Sequence, residues 1–194
     1  MSYFRYIGKN LFTENVSVFN IAKKNKTPFY LYSERQIKEN YLDFSNIFKN
    51  IKPLICFATK ANTNLAILKI LAKLGSGADV VSGGELLKAI KAGIAPKKIV
   101  FSGVGKTEDE LKLAIDKKIL LINIESESEA ILINKIAKKM NKEVSVGFRL
   151  NPNVDAKTHR KISTGKAENK FGLSIQNFKK FYKNIKELKN LKIE

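Results

Sequence analysis

The feature that most limits the possible folds is a regular alternation of short apolar runs and amphipathic segments. Five apolar runs suit buried strands and begin about 20 to 25 residues apart. They are 54–58, 78–81, 99–102, 119–124 and 144–150. The amphipathic helix candidates between them are 65–74, 84–92, 108–115 and 127–140. Because each helix returns the chain to the end of the sheet where the previous strand began, this alternation predicts an α/β fold with a parallel sheet.

Potential helix N-termini recur with the same period. At four sites a hydroxyl residue stands three positions before a glutamate or glutamine, which is the pattern of a capping box. These hydroxyl residues are Ser33, Ser82, Thr107 and Ser126. The first of them predicts an earlier helix at 33–49, after a short aromatic strand candidate at 27–32.

The repeat period alone is compatible with two folds, an open doubly wound sheet and the first part of an eight-stranded β/α barrel. A complete barrel takes about 250 residues, so a chain of 194 residues would stop before the barrel closes. After a last helix candidate at 174–188, residues 191–194 read as a strand that is cut off as it begins. We therefore interpret the chain as a fragment.

The net charge of +18 raises the question of nucleic-acid binding, because clustered cations neutralise phosphate backbones. Only four of the 36 basic residues are arginines, and the lysines are spread over nearly every segment. Nucleic-acid surfaces favour arginine, whose guanidinium makes bidentate hydrogen bonds. We interpret the charge as a solvated lysine-rich surface and expect no nucleic-acid partner.

Cysteine, histidine and hydropathy patterns narrow the function classes further. Cys56 is the single cysteine and His159 the single histidine, which predicts neither an intramolecular disulfide nor a metal site. The N-terminus lacks the pattern of a signal peptide, and no apolar run approaches the roughly 20 residues that span a bilayer. We expect a cytoplasmic protein without a membrane partner.

Lys60 comes directly after the first apolar run and therefore lies at the carboxyl end of a predicted strand. Catalytic residues of β/α barrels lie at this rim. Partial desolvation at such a position favours a neutral amine, which can condense with a carbonyl group. In a chain with so many lysines, position alone leaves a purely structural lysine as the more frequent alternative.

An ordered series of motifs resembles the pyridoxal-phosphate-dependent decarboxylases of the alanine racemase fold. Lys60 lies in Phe57-Ala58-Thr59-Lys60-Ala61-Asn62, which is similar to the family sequence around the cofactor lysine. Residues 78–86, 101–107 and 123–126 resemble the next three strand ends in the same order. The resemblance spans nearly the whole chain, although Phe57, Thr59 and Lys26 depart from the usual residues.

The most specific part of the resemblance begins at Arg149 and favours one branch of the family. It comprises 149–155, Thr158-His159, 162–165 and 170–172. This combination resembles the diaminopimelate decarboxylases more than the ornithine or arginine decarboxylases. The polar stretch 151–170 is long for a strand-to-helix connection, so we expect it to border the mouth of an active site.

The resemblance implies a partial β/α barrel of the alanine racemase type, truncated before closure, over residues 31–194. Residues 1–30 would join a second, β-rich domain that is mostly absent. Lys60 would be the catalytic residue that carries pyridoxal 5'-phosphate, with Asp79 and Arg149 as further cofactor-binding residues. At the level of the residues alone, Asp79 could equally be a solvated strand-end carboxylate and Arg149 part of a rim salt bridge.

The activity implied by the resemblance is decarboxylation of meso-2,6-diaminopimelate to L-lysine, a step of lysine biosynthesis, in a homodimer. The family's glycine-rich phosphate loop, the glutamate at the pyridine nitrogen, a stacking histidine and an acidic cysteine of the partner subunit would lie beyond Glu194, leaving this chain inactive alone. Two alternatives remain open. One is a related decarboxylase or racemase for another basic amino acid, and the other is a non-catalytic or regulatory protein that binds pyridoxal phosphate.

Overall fold

The first elements of the chain form a small antiparallel sheet and two helices. They belong to a computed structural model that describes residues 3–51, 53–154, 171–185 and 187–194. In chain order they are β1 (Phe4–Ile7), β2 (Asn10–Thr13), β3 (Val16–Ser17), α1 (Val18–Lys24) and α2 (Glu34–Ile47). The sheet contacts α2 through the Glu14 carboxylate, which accepts hydrogen bonds from the Ser33 hydroxyl at 2.7 Å and the Arg35 amide at 3.1 Å.

Strands and helices then alternate, as the sequence predicts. In chain order they are β4 (Cys56–Ala58), α3 (Leu65–Lys73), β5 (Gly77–Val80), α4 (Gly83–Lys91), β6 (Ile99–Phe101), α5 (Glu108–Asp116), β7 (Leu121–Ile124), α6 (Glu127–Lys139), β8 (Val144–Phe148), β9 (Leu150–Asn151), β10 (Leu173–Ser174), α7 (Ile175–Ile185) and β11 (Leu191–Ile193). Each predicted apolar run between 54 and 150 contains a strand, and every helix candidate contains a helix.

The order of the strands decides between the two folds that the repeat period leaves open. Six parallel strands are hydrogen-bonded in the order β11-β8-β7-β6-β5-β4, so each new strand joins the side of the one before it. A doubly wound sheet instead reverses its strand order at a switch point. The consecutive order is that of a β/α barrel, and the described residues form six adjacent strands of one.

The hydrophobic core lies between this sheet and its helices. The strand residues that face the helices are fully buried, as are the helix residues that meet them. Examples are Val80, Phe101, Ile122, Leu86 and Leu111, each 0% exposed. Burying one such side chain contributes about 1.5–3 kcal/mol. The alternate strand positions, such as Asp79 and Asn123, point to the other face and are only half-buried.

All four predicted N-caps are present, but only one predicted capping box is complete. Each hydroxyl accepts the amide hydrogen bond expected of an N-cap. At α5 the Glu110 carboxylate also accepts from the Thr107 amide at 2.9 Å, which completes the box. The Glu85 carboxylate instead accepts from the Val81 amide, and the Glu129 carboxylate from the Glu125 amide, each one residue before the N-cap. Each carboxylate also binds a polar side chain of the preceding strand-helix unit, Thr59 and Lys106 respectively.

The Glu110 carboxylate joins two neighbouring helices and is the basis of a prediction about acid stability. It accepts hydrogen bonds from the Thr107 amide and, at 2.7 Å, from the Gly83 amide at the start of α4. These amide hydrogen bonds hold the pKa of the Glu110 carboxyl below its ordinary value of 4.5. The resulting stabilisation is complete above that ordinary value and is lost as pH falls through the lowered pKa.

We expect Glu110→Gln to lower the free energy of unfolding of the whole protein by about 1 kcal/mol at pH 7, since an amide donor then opposes a backbone donor. Below the lowered pKa of Glu110 the difference from wild type should shrink, because the wild-type carboxylate is then protonated. Urea unfolding at pH 7 and at an acid pH below that pKa measures both. Glu108→Gln, in the exposed first turn of the same helix, is the matched control. An equal loss of stability at both pH values would contradict this account.

One expectation about the first 32 residues is wrong, and the other elements there were missed. The strand candidate at 27–32 is not a strand, because it has no neighbouring strand to pair with and Tyr30 is 91% exposed. The small sheet β1-β2-β3 and helix α1 were not predicted.

None of the helices in the described parts of the chain is long and apolar enough to cross a membrane.

Candidate active site

Lys60 lies on a single helical turn, Thr59–Ala61, that follows β4 directly. The turn is anchored by the buried hydroxyl of Thr59, which is 2.9 Å from the Asp79 carbonyl oxygen and 2.5 Å from the Glu85 carboxylate. The Lys60 side chain is exposed and, among the described residues, its amine has no hydrogen-bond or ion-pair partner. The expected partial desolvation of Lys60 is therefore not found, because the turn lifts the residue beyond the strand end and no described side chain covers it.

Asp79 is at the third position of β5, beside the strand that leads to Lys60. Its carboxylate accepts a hydrogen bond of 2.6 Å from the Ser102 hydroxyl, which in turn accepts one of 3.0 Å from the Asn123 amide. This chain of donors crosses three adjacent strand ends and fixes the orientation of the Asp79 carboxylate.

Burial, aided by the negative charge of Asp79, raises the pKa of the Cys56 thiol, so Cys56 is not an activated nucleophile.

Arg149 follows β8 and is held on two sides. One guanidinium nitrogen lies 3.2 Å from the Glu125 carboxylate, and the guanidinium carbon lies 4.8 Å from the centre of the Phe171 ring. The Glu125 carboxylate is 4% exposed and also accepts from the Gly103 and Gly172 amides. Arg149 remains 38% exposed, so part of the guanidinium is accessible to a ligand.

At Gly172 the backbone lies directly against the backbone of Arg149. Its φ of +76° lies in the left-handed region, and an added Cβ would lie 2.7 Å from the Arg149 carbonyl oxygen. Only glycine fits both conditions. The Leu173 amide then donates to the same Arg149 carbonyl at 2.8 Å, which begins the β9-β10 pairing.

These side chains meet in one cavity of about 590 Å³ at the carboxyl ends of the strands. It is lined by Lys60, Asp79, Val81, Ser102, Gly103, Val104, Gly105, Asn123, Glu125, Phe148, Arg149 and Phe171. The three residues that the sequence singles out, Lys60, Asp79 and Arg149, thus line the same cavity. No hydrogen bond joins Lys60 to either of the other two in the described parts of the chain. The expectation about the loop 151–170, and with it His159, lies mostly outside the described residues, which resume at 171.

Sequence reasoning did not single out Ser102, Asn123 or Glu125. Each is a polar residue at or near the carboxyl end of an apolar strand, and that position is the signal that could have identified it. Among the described residues, no group of three or more histidine, cysteine, aspartate or glutamate side chains could hold a metal ion.

A parallel β/α sheet with a lysine, an aspartate and an arginine around one cavity at its carboxyl edge is the arrangement of a barrel enzyme. Residues 34–194 match the family described as "Pyridoxal-dependent decarboxylase, pyridoxal binding domain". The chain belongs to this family.

The similar proteins include diaminopimelate decarboxylases. The one from Aquifex aeolicus is 46% identical over 191 residues, which cover 98% of this chain and 45% of that protein. The crystal structure of diaminopimelate decarboxylase from M. jannaschii with L-lysine superimposes with a TM-score of 0.90 at 42% identity, over 98% of this chain and 46% of that one. The Helicobacter pylori enzyme with L-lysine gives 0.87 at 46% identity, over 90% and 44%.

The chain spans somewhat less than half the length of the relatives it matches. Its cavity residues nevertheless fit pyridoxal phosphate. The Lys60 amine has no partner among the described residues that would compete with covalent attachment of an aldehyde. The cavity is within the range of about 300–1,000 Å³ that holds small ligands, and Asp79 and Arg149 supply one charge of each sign within it.

Proposed function

We propose that the chain supplies the cofactor-binding part of an enzyme that decarboxylates meso-2,6-diaminopimelate to L-lysine. The observation that carries the proposal is the Lys60 amine, which has no partner among the described residues and lies in the cavity that Asp79 and Arg149 also line, in a chain of the pyridoxal-binding family. The identities of 42–46% to diaminopimelate decarboxylases favour this substrate over another basic amino acid.

Lys60 would hold the cofactor covalently through its amine. When bound there, pyridoxal phosphate would supply the electron sink that decarboxylation at the substrate α-carbon requires. Asp79, fixed by the Ser102 hydroxyl, supplies a negative charge of defined orientation near Lys60. Arg149 supplies hydrogen-bond donors and a positive charge to the same cavity.

The rest of the proposal concerns the domains of this chain and the groups that complete the site. Residues 31–194 would be the barrel, and residues 1–30 would contribute to a β-rich second domain, for which the small sheet β1-β2-β3 is a suitable component. The remaining cofactor contacts would come from the other part of the protein and from the partner subunit of a homodimer. We propose a cytoplasmic location, as expected for a biosynthetic enzyme that acts on a small amino acid.

A substrate panel on the whole protein tests the function. With pyridoxal phosphate added, we expect carbon dioxide release from meso-2,6-diaminopimelate with a kcat/KM at least ~100-fold above that for ornithine or arginine, since sites built for a substrate's polar groups reject analogues that lack them. Preference for ornithine or arginine would assign the chain to a related decarboxylase. Cofactor binding without turnover of any of the three would favour the non-catalytic alternative.

A further inference from the structure

We propose that Glu125 is the positioning residue for Arg149 and that, through Arg149, it controls how tightly the cofactor is held. The inference rests on the proposed function, because it takes Arg149 as a cofactor-binding residue. Glu125 is the first residue after β7, and its side chain is 4% exposed. A carboxylate so far from water needs hydrogen-bond donors around it, and three different segments supply them.

The three donors join separate parts of the cavity wall. Gly103, after β6, donates its amide to one carboxylate oxygen at 3.2 Å, and the Arg149 guanidinium donates to the same oxygen at 3.2 Å. The Gly172 amide donates to the other oxygen at 3.0 Å. Glu125 therefore binds the arginine and also the backbone that brings Phe171 against it.

The guanidinium is consequently confined in two directions. The Glu125 carboxylate fixes one edge, and the Phe171 ring, 4.8 Å away, lies against its face. The Arg149 side chain is still 38% exposed, and its other guanidinium N–H groups have no hydrogen-bond partner within the described residues. An arginine side chain has many rotamers, and an arginine that is already ordered loses less rotamer freedom when a ligand binds.

Glu125→Gln removes the charge and nearly preserves the shape. Its new amide group must face either the arginine or a backbone amide, and both are donors. We expect the dissociation constant of pyridoxal phosphate for the whole protein to rise roughly 10- to 100-fold, by analogy with metal sites, where loss of a group that orients a metal ligand costs about that factor. Titration of the cofactor absorbance measures it, and a shift of the absorption maximum would report a changed cofactor environment.

A double-mutant cycle decides whether the effect passes through Arg149. In an Arg149→Met background, we expect Glu125→Gln to change the dissociation constant by less than about threefold, because the side chain that it positions is gone. The same factor in both backgrounds, or wild-type affinity for Glu125→Gln alone, would overturn the inference. If Glu125→Gln does not fold, Glu125→Asp replaces it in the cycle, since it keeps the charge and withdraws the carboxylate by one methylene group.

Glu110→Gln is the matched control for a purely structural effect. The Glu110 carboxylate also accepts backbone amide hydrogen bonds from two segments, at Thr107 and Gly83, yet among the described residues it neither lines the cavity nor is hydrogen-bonded to Glu125. We expect this variant to lose thermal stability and to keep the wild-type cofactor affinity. An equal loss of cofactor affinity in both glutamine variants would overturn the inference.

A wild-type protein that binds the cofactor but turns over no diaminopimelate would contradict the proposed function alone, because the cycle is measured on cofactor affinity.

Discussion

Lys60→Ala is expected to lower the decarboxylation rate of the whole protein by a factor on the order of 10³ or more, as when an enzyme loses the residue that forms its covalent link. Lys60 is the one lysine among the residues that line the cavity, so no other described amine is placed to replace it. Steady-state assays measure the rate. Borohydride reduction followed by peptide mass spectrometry locates the attached cofactor, which we expect on Lys60 in wild type and on no cavity residue in the variant.

Lys88→Ala is the control for the loss of a lysine as such. Lys88 is exposed on α4, and its amine donates to the Thr63 hydroxyl at 3.1 Å, outside the cavity. This variant should keep activity within about twofold of wild type, as is usual for a surface substitution. Cofactor that remains attached to a lysine in Lys60→Ala would refute the assignment of Lys60.

Gly77→Ala is expected to destabilise the protein more than Glu110→Gln does, because it forces atoms into a filled space. Gly77 is buried at the start of β5, where an added Cβ would lie 2.3 Å from the Lys98 carbonyl oxygen and 2.7 Å from the Cys56 sulfur. The oxygen belongs to the backbone beside the neighbouring strand, so it cannot move without disturbing the sheet. Overpacking of this kind costs about 1–3 kcal/mol and often more when backbone must shift. Urea unfolding of the whole protein measures the loss.

Gly84→Ala provides the comparison. Gly84 is exposed in the first turn of α4, and the nearest atom to an added Cβ is the Ser82 hydroxyl oxygen at 3.9 Å, an ordinary contact. Replacing glycine by alanine in a helix removes backbone freedom from the unfolded chain, so this variant should be as stable as wild type or up to about 1 kcal/mol more stable. Equal destabilisation by the two substitutions would show that the close contacts at Gly77 are not responsible.

The alternating part of the fold was predictable because its residues obey local rules. Apolar runs, amphipathic segments and hydroxyl N-caps place strands and helices to within a few residues from β4 to β11, except for the two-residue strands β9 and β10, which were not predicted. The choice between a barrel and a doubly wound sheet was not predictable from the period, since it depends on which side of the sheet each new strand joins. The aromatic residues at 27–32 suggest a strand by propensity, but a strand also requires a neighbour to pair with.

The candidate site was predictable to a similar degree. The family resemblance assigned Lys60, Asp79 and Arg149 to one cofactor site, and all three line the same cavity because the strand ends of a parallel sheet meet at one edge. The role of Glu125 could not, because its partners Gly103 and Gly172 come from segments 22 and 47 residues away in sequence. Contacts of that range depend on how the segments return to the sheet, which no local pattern specifies.

The glutamates at the third position of α4, α5 and α6 also bear on how the barrel assembles. Glu85 binds Thr59, Glu110 binds Gly83, and Glu129 binds Lys106, so each helix is tied to the strand-helix unit that comes just before it in sequence. Contacts between units that are consecutive in sequence close shorter loops than contacts between distant units, and they lower the contact order, which favours fast folding. Each completed unit therefore supplies the acceptor or donor that the next one needs, and the barrel can grow along the chain in the order of its synthesis.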